Sequence, residues 1–314
     1  SSTATAATFG RVALPEMLKR GYAPHFAAGT IAAGGTLGAL VPPSVIMIIY
    51  SVITFKNILD MFVAAVIPAI LAILFHFAAI WIYLKLNPNA GPPGKRANWR
   101  ERGAAIGNAW AVLLMLTAVL GGIYGGVVTV DEAAALGAGL ALLFAAVRRR
   151  LTWRSFWNAL VESAAATAMI YVIIFGASVF TYFITVANVP SALTGWVTSL
   201  NVPPLAIIFV LLLMYIVLGA VFDTISAMLI TLPFVLPIVE GLGYDPIWWG
   251  IINVVVVELG MITPPIGMNV FILQSLAPKI GITRIFAGVM PFVFSDLARL
   301  LVLTLFPFLT LALL

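Results

Sequence analysis

Apolar residues run along this chain in long blocks rather than in alternation. Phe62 to Leu84, Ala104 to Tyr124, Ala165 to Phe183 and Pro204 to Val221 each supply the roughly 20 residues that a helix needs to cross a bilayer core of ~30 Å. A membrane β-barrel would place apolar and polar residues in turn, which these blocks do not do. The pattern predicts an all-α integral membrane protein, with the lipid bilayer as its first partner.

A second pattern lies on top of the first. Leu14-Pro15, Gly21-Tyr22, Pro24, Leu37-Gly38 and Pro42-Pro43 recur as Leu236-Pro237, Gly243-Tyr244, Pro246, Leu259-Gly260 and Pro264-Pro265. Every pair is 222 positions apart, without a gap, over some thirty residues. Chance does not hold such a register. An internal repeat whose apolar segments are interrupted at matching positions is a pointer to the binding site of a secondary transporter.

Composition narrows the class. With 63% hydrophobic and 9% charged residues and a mean hydropathy of +1.15, the chain carries more apolar surface than a water-soluble domain could bury. The absence of cysteine excludes disulfides and thiol chemistry. The net charge of +5 comes from loop lysines and arginines and does not imply nucleic acid binding. The segment 87–103, with Pro88, Gly91, Pro92, Pro93 and Gly94 followed by Lys95, Arg96, Arg100 and Arg102, is the clearest linker. The chain begins at Ser1 in what reads as the middle of a motif, so it is expected to be N-terminally truncated.

Charge orients the spans, because Lys and Arg near span ends mark the cytoplasmic side. Lys85 to Arg102 and Arg148-Arg149-Arg150 with Arg154 form two basic loops. Two spans, Ala104 to Tyr124 and Ala133 to Val147, separate them, so the loop with Asp131 and Glu132 is outside. The same count puts Lys19-Arg20-Gly21-Tyr22 inside and Gly243-Tyr244-Asp245 outside, with Lys279 and Arg284 inside again. Equivalent loops on opposite faces make an inverted-topology repeat. Pro203 to Glu240 is then a re-entrant hairpin that returns to the face it left.

Pro42 and Pro43 lack the N–H that would bond the carbonyls of Gly38 and Ala39, and Pro264 and Pro265 do the same to Gly260 and Met261. Val41 and Thr263, each before a proline, are pushed toward extended backbone. Such breaks persist in a membrane only where they are buried or line a wet cavity. Midplane carbonyl and hydroxyl oxygens suit Na⁺, and the restarting half-helices attract an anion. Hydroxyl groups stand about forty residues before each break: Ser1, Ser2 and Thr3, then Thr224 and Ser226 beside Asp223. A carboxylate at membrane depth, as at Asp223, is a functional hypothesis by default.

Blander accounts hold for other positions. Gly34 and Gly38 fit helix packing as well as ligand access. Asp296 and Arg299 read as a structural pair at i, i+3. Glu258 stands open between packing partner and site support, and His25 and His76 show no metal-ligand spacing and are taken as incidental. An intramembrane aspartyl protease would need a Gly-x-Gly-Asp partner and a zinc protease His-Glu-x-x-His, and neither is present. Gly94-Lys95 is followed by Arg96 without Walker spacing. The chain is therefore read as not an enzyme, leaving a transporter or a passive channel.

Four stretches resemble one family: Ser1-Ser2-Thr3-Ala4-Thr5-Ala6-Ala7 with Leu14-Pro15-Glu16-Met17 and Arg20-Gly21-Tyr22; Ala33-Gly34-Gly35-Thr36-Leu37-Gly38 to Pro42-Pro43-Ser44; Gly126 to Thr129 with Glu132-Ala133-Ala134; and Ile262-Thr263-Pro264-Pro265-Ile266-Gly267-Met268-Asn269. The chain resembles the large, DctM-like membrane subunit of tripartite ATP-independent periplasmic (TRAP) transporters. The third stretch departs from the family pattern by reading Thr129-Val130-Asp131-Glu132.

The resemblance implies an elevator-type ion transporter fold in a bacterial inner membrane. The expected activity is Na⁺-coupled import of organic acids, C4-dicarboxylates or sialic-acid-like anions. The implied partners are a small membrane subunit (Q) and a periplasmic substrate-binding protein (P). The implied domains are 1–56, the second arm of a first hairpin plus the first broken helix; 57–202, scaffold helices with the linker 87–103; 203–276, the second hairpin plus the second broken helix; and 277–314, a C-terminal helix. Carried over by position, one Na⁺ would lie among Ser1, Ser2, Gly38 and Val41. A second would lie among Gly219, Asp223, Thr224, Gly260, Thr263 and Met268. Substrate would lie within reach of Ser2, Thr36, Ser44 and Asn269. A Na⁺/dicarboxylate symporter that works without a binding protein is the alternative.

Overall fold

The computed structural model describes residues 2–94 and 98–314. Ser1 and the linker residues Lys95 and Arg96 lie outside the described residues. In chain order the helices are α1 (Ser2–Lys19), α2 (Pro24–Leu40), α3 (Val45–Thr54), α4 (Ile58–Ala64), α5 (Val66–Leu86), α6 (Trp99–Asn108), α7 (Trp110–Tyr124) and α8 (Val130–Val147). They continue as α9 (Trp153–Val186), α10 (Val189–Ser199), α11 (Pro204–Val221), α12 (Thr224–Gly241), α13 (Pro246–Gly260), α14 (Met268–Leu276), α15 (Ile282–Leu305) and α16 (Phe308–Leu311). Among the described residues there is no strand. Among the described residues seven helical segments are long and apolar enough to cross a membrane, so the chain is a helical, multi-pass membrane protein.

The chain forms two compact units, residues 1–92 with 177–314 and residues 93–176. In the first unit the internal repeat extends to hydrogen bonds. Tyr22 N–H donates to Met17 O at 3.1 Å and Gly21 N–H to Leu18 O at 3.0 Å; 222 residues on, Tyr244 N–H donates to Val239 O at 3.1 Å and Gly243 N–H to Glu240 O at 2.9 Å. This is the Schellman ending. It needs a left-handed residue after each hairpin arm, and Gly21 (φ 82°) and Gly243 (φ 85°) supply it, a backbone conformation that costs glycine nothing. Pro24 and Pro246 then open α2 and α13 in the first turn, where a missing N–H has no partner to lose.

Both broken helices stop where the prolines predict. α2 gives way at Val41 and restarts as α3 at Val45; α13 gives way at Met261 and restarts as α14 at Met268. Pro42–Pro43 and Pro264–Pro265 are both cis. Three of the four carbonyls that the prolines strand are bonded again: Ala39 O accepts from the Ser44 hydroxyl at 2.5 Å, Gly260 O from Thr263 N–H at 2.9 Å and Met261 O from Asn269 N–H at 3.2 Å. A carbonyl has two lone pairs, so each keeps one to offer.

The two repeats exchange arms. α1 packs on α2 within its own repeat and on α14 of the other, while α12 packs on α13 and on α3. α13 lies at the centre, with every residue from Trp248 to Gly260 buried, as expected of a helix that is apolar all round. α2 crosses α15 with backbone against backbone: a Cβ on Gly29 would strike Gly288, and one on Gly288 would strike the carbonyl of His25. α15 is tied to α5 by the Ser295 hydroxyl on Phe75 O at 2.9 Å and by His76 Nε2 with Asp296 Oδ1 at 3.2 Å. His25 Nε2 bonds the Tyr83 hydroxyl at 2.9 Å. Neither histidine is incidental to packing, because each joins helices far apart in sequence.

In the second unit α7 packs on α8, with Trp110 edge-on to Phe144 at 5.3 Å between ring centres. The stretch Thr129-Val130-Asp131-Glu132 opens α8 as a capping box: Thr129 Oγ1 accepts from Glu132 N–H at 3.3 Å, and Glu132 Oε2 accepts from Thr129 N–H at 2.8 Å, which satisfies two helix-end donors.

Candidate functional site

The tips and breaks meet in two linked groups of buried polar residues. The first is built on α1, α2 and α14. Ser2, at the start of α1, is 3% exposed, and Asn269 is fully buried. Asn269 Nδ2 donates to Ser2 Oγ at 2.7 Å and to Ala32 O at 3.2 Å, so the second break's restarting helix grips both the first tip and the first broken helix. Gly35 makes room: a Cβ there would lie 2.9 Å from Ala6 Cβ, 3.1 Å from Ser2 O and 3.1 Å from Asn269 Nδ2. Gly38 passes Thr5 so closely that a Cβ would overlap its hydroxyl.

The second group is built on α11, α12 and α13. A Cβ on Gly260 would lie 2.6 Å from the Gly219 carbonyl carbon, and one on Gly219 would lie 2.6 Å from Val257 O. Two backbones in contact expose carbonyl oxygens to each other's side, and Gly267 N–H reaches Ala220 O at 3.3 Å. Thr224 Oγ1 donates to Glu258 Oε1 at 2.9 Å and lies 3.0 Å from Met261 Sδ. The Ser2 side chain is a further hydrogen-bond partner of Glu258, so this one carboxylate touches residues of both tips.

Asp223 ends the tip of the second hairpin as the N-cap of α12. Its Oδ1 accepts from Ile225 N–H at 3.0 Å and Ser226 N–H at 3.1 Å, and its Oδ2 from the Ser226 hydroxyl at 2.5 Å. These bonds answer free donors of the helix start. Thr263 Oγ1 donates to Leu259 O at 2.7 Å, Thr36 Oγ1 to Ala33 O at 2.7 Å and Ser44 Oγ to Ala39 O. Val41 and Met268 stand at the two ends of the breaks, as C-cap of α2 and first residue of α14.

The structure thus brings together Ser2 with Asn269, Gly219 with Gly260 and Thr224 with the region of Gly260. It turns the hydroxyls of Thr36, Ser44 and Thr263 onto their own chain. Glu258, left open in the sequence between packing partner and site support, and Met261, read there only for its carbonyl, both meet Thr224 through their side chains. The isolated carboxylate in Val254-Val255-Val256-Val257-Glu258 was the one signal, and it does not reveal which residue it meets.

Two acceptors remain. Glu258 Oε2 and Asn269 Oδ1 are buried without a hydrogen-bond partner among the described residues. Buried acceptor oxygens lacking donors fit a hard cation held by oxygens.

The family described as "Tripartite ATP-independent periplasmic transporter, DctM component" matches residues 1–309. The chain is 33% identical over 98% of its length to an isethionate TRAP transporter permease protein DctMQ of Oleidesulfovibrio alaskensis, and spans 48% of that protein. It is 34% identical over its whole length to a C4-dicarboxylate TRAP transporter large permease protein DctM of Pseudomonas aeruginosa, covering 73% of it. It is 29% identical over its whole length to a sialic acid TRAP transporter large permease protein SiaM of Vibrio cholerae, again covering 73%.

Proposed function

The chain belongs to the DctM component family of tripartite ATP-independent periplasmic transporters, and from this premise we propose that it forms the large membrane subunit of a Na⁺-coupled importer of organic acids. Its relatives carry the names of transporter permeases, so the work is transport and not catalysis. The observation that carries the Na⁺ reading is the buried group of Ser2, Thr224, Glu258 and Asn269, with two acceptor oxygens left without donors. In this reading the ions lie near Ser2, Gly38 and Val41 and near Gly219, Thr224, Gly260, Thr263 and Met268. Na⁺ supplies the inward driving force and neutralises charge at the tips.

The protein's own part is geometric. Asp223 fixes the second tip by capping α12, the glycines 35, 38, 219 and 260 let backbones touch, and Asn269 joins the first tip to the second break. The substrate is an organic anion between the tips, near Ser2 and Asn269, with the first turns of α3 and α14 offering N–H groups to it. Isethionate, C4-dicarboxylates and sialic acid, named for the relatives, support that class. The hairpins and broken helices move together as an elevator against the scaffold in a bacterial inner membrane. A small membrane subunit, as the DctMQ name of one relative implies, and a periplasmic binding protein complete the system.

The test is uptake of organic acids by the permease and its small subunit in proteoliposomes, with an inward Na⁺ gradient, with and without the binding protein. Uptake that needs both Na⁺ and the binding protein is expected. Uptake without the binding protein moves the chain to the simple Na⁺/dicarboxylate symporters, and uptake indifferent to Na⁺ refutes the coupling.

A further inference from the structure

We propose that the α8–α9 turn, with Arg148, Arg149, Arg150 and Arg154 beside Trp153 and Trp157, is a seat for the phosphate headgroup of an anionic phospholipid. The site lies wholly in the second unit and does not depend on the ion coupling or the substrate. It starts from positive charge with nothing to balance it. All four arginines are exposed, and among the described residues none of them forms an ion pair. The carboxylates of this unit are engaged or distant. Glu101 accepts from Asn98 N–H at 2.8 Å, and Glu132 caps the far end of α8 with Asp131 beside it. Glu162 stands two helical turns beyond Arg154, about 12 Å along α9 at ~1.5 Å per residue.

Helix ends explain only part of the cluster. Arg148 to Arg150 follow the last turn of α8, where cations suit the helix dipole, but Arg154 stands in the first turn of α9, where the same dipole opposes a cation. That end is already capped: Thr152 N–H donates to Ser155 Oγ at 3.0 Å and Ser155 N–H to Thr152 Oγ1 at 3.1 Å. The turn itself repeats the ending found after each hairpin arm, with Arg150 N–H on Ala145 O and Arg149 N–H on Ala146 O, both at 2.9 Å. Where those endings use glycine, this one holds Arg149 at φ 54°. A long side chain in the left-handed region costs energy that glycine would not, and such residues gather where function requires them.

Two aromatic rings flank the fourth arginine. Trp153 and Trp157 are 77% and 56% exposed, with 6.4 Å between ring centres, and together with Arg154 and Asn158 they line an open groove of about 370 Å³. Elsewhere a basic side chain lies over a neighbouring tryptophan, Lys85 over Trp81 and Arg102 over Trp99, each at 5.0 Å. Among the described residues Arg154 lies over no ring. Its guanidinium is left for a ligand.

The place of the groove along the helix sets the class of ligand. α9 has 34 residues, about 51 Å at ~1.5 Å per residue, which exceeds the ~40–45 Å of a bilayer with its headgroups. Its first turns therefore emerge among the headgroups, the level at which tryptophan rings sit by preference. The excess of arginine marks that end as cytoplasmic, the side whose leaflet carries anionic lipids. Guanidinium forks match phosphate oxygens two at a time, and the exposed rings pack on the glycerol and upper chains of the same molecule. A soluble anion would use the charges and leave the rings bare.

The experiment reconstitutes the full-length permease with its small subunit in phosphatidylcholine bilayers. Tryptophan fluorescence is followed as brominated phosphatidylglycerol, or brominated phosphatidylcholine with the same chains, replaces the host lipid. Phosphatidylglycerol is expected to quench at a several-fold lower mole fraction. A basic residue near an anionic surface contributes about fivefold in affinity, so Arg154→Gln should raise the half-quenching fraction of phosphatidylglycerol about fivefold and leave that of phosphatidylcholine unchanged. Trp153→Phe with Trp157→Phe should remove the part of the quenching that distinguishes the two lipids. All three side chains are exposed, so folding is not at stake. Equal quenching by the two lipids, or an Arg154→Gln curve that matches wild type, overturns the site. A preference abolished by inorganic phosphate assigns the groove to a soluble anion, and one seen in the permease alone but lost with the small subunit assigns it to a protein interface; either overturns the lipid seat.

Discussion

Asp223 offers a sharp test, because its carboxylate has two separable uses. As a cap it accepts two backbone N–H groups and the Ser226 hydroxyl; as an ion ligand it would need its negative charge. Asn and Ser are good caps without that charge, whereas Ala is neither. Losing the cap costs about 1 kcal/mol, within a range of roughly 0.5–2 kcal/mol. That amount shifts the balance between an ordered and a frayed tip about fivefold. Na⁺-driven uptake in proteoliposomes should therefore stay near wild type in Asp223→Asn and Asp223→Ser, and fall several-fold in Asp223→Ala. A higher Na⁺ requirement should accompany that fall, because the frayed tip must be ordered first. If Asp223→Asn assembles normally and is as inactive as Asp223→Ala, the charge matters and the capping argument is refuted.

Three further outcomes follow from the packing. Gly288→Ala should lower the thermal midpoint: forcing a methyl onto the His25 carbonyl costs typically 1–3 kcal/mol and sometimes more, against a gain of about 1 kcal/mol in helix propensity. An unchanged midpoint would disprove the backbone contact. Asp296→Ala leaves the Arg299 guanidinium buried without its counter-ion, a loss of about 3–5 kcal/mol read as failure to assemble, whereas Asp296→Leu with Arg299→Met should recover assembly. Thr224→Val removes the hydroxyl on Glu258 at nearly constant shape. It should raise the Na⁺ concentration for half-maximal uptake, Thr224→Ser should restore it, and equal values for both variants would deny the hydroxyl a role.

Much of the architecture was legible because its signals are local. Proline pairs fix the ends of α2 and α13 by removing donors, glycines 21 and 243 mark the hairpin ends by their left-handed backbone, and the 222-residue register ties the two halves. Asp223 was read for its charge at membrane depth, and its capping of α12 came only with the structure. α10 was absent from the reading, although Asn188 and Pro190 bracket its start. The partners of Glu258, Asn269 and His76 were not legible. Each meets a residue brought near only by packing of distant helices, across 34, 267 and 220 positions, and no spacing rule reaches that far. The stranded carbonyls were correctly located, but their new partners, Ser44 and the N–H groups of Thr263 and Asn269, depend on how each break turns.

The exchange of arms between the repeats has a consequence for biosynthesis. Ser2 leaves the ribosome 267 residues before Asn269, an interval of about 13–53 s at roughly 5–20 residues per second. Throughout it, α1 lies in or near the bilayer without α14, and the Ser2 hydroxyl without its amide. The N-terminal half cannot settle as a finished module: a quality-control protease meets an open α1–α2 pair until α14 arrives. Separate expression of the halves should then give two unstable products that are rescued when both are made in the same cell.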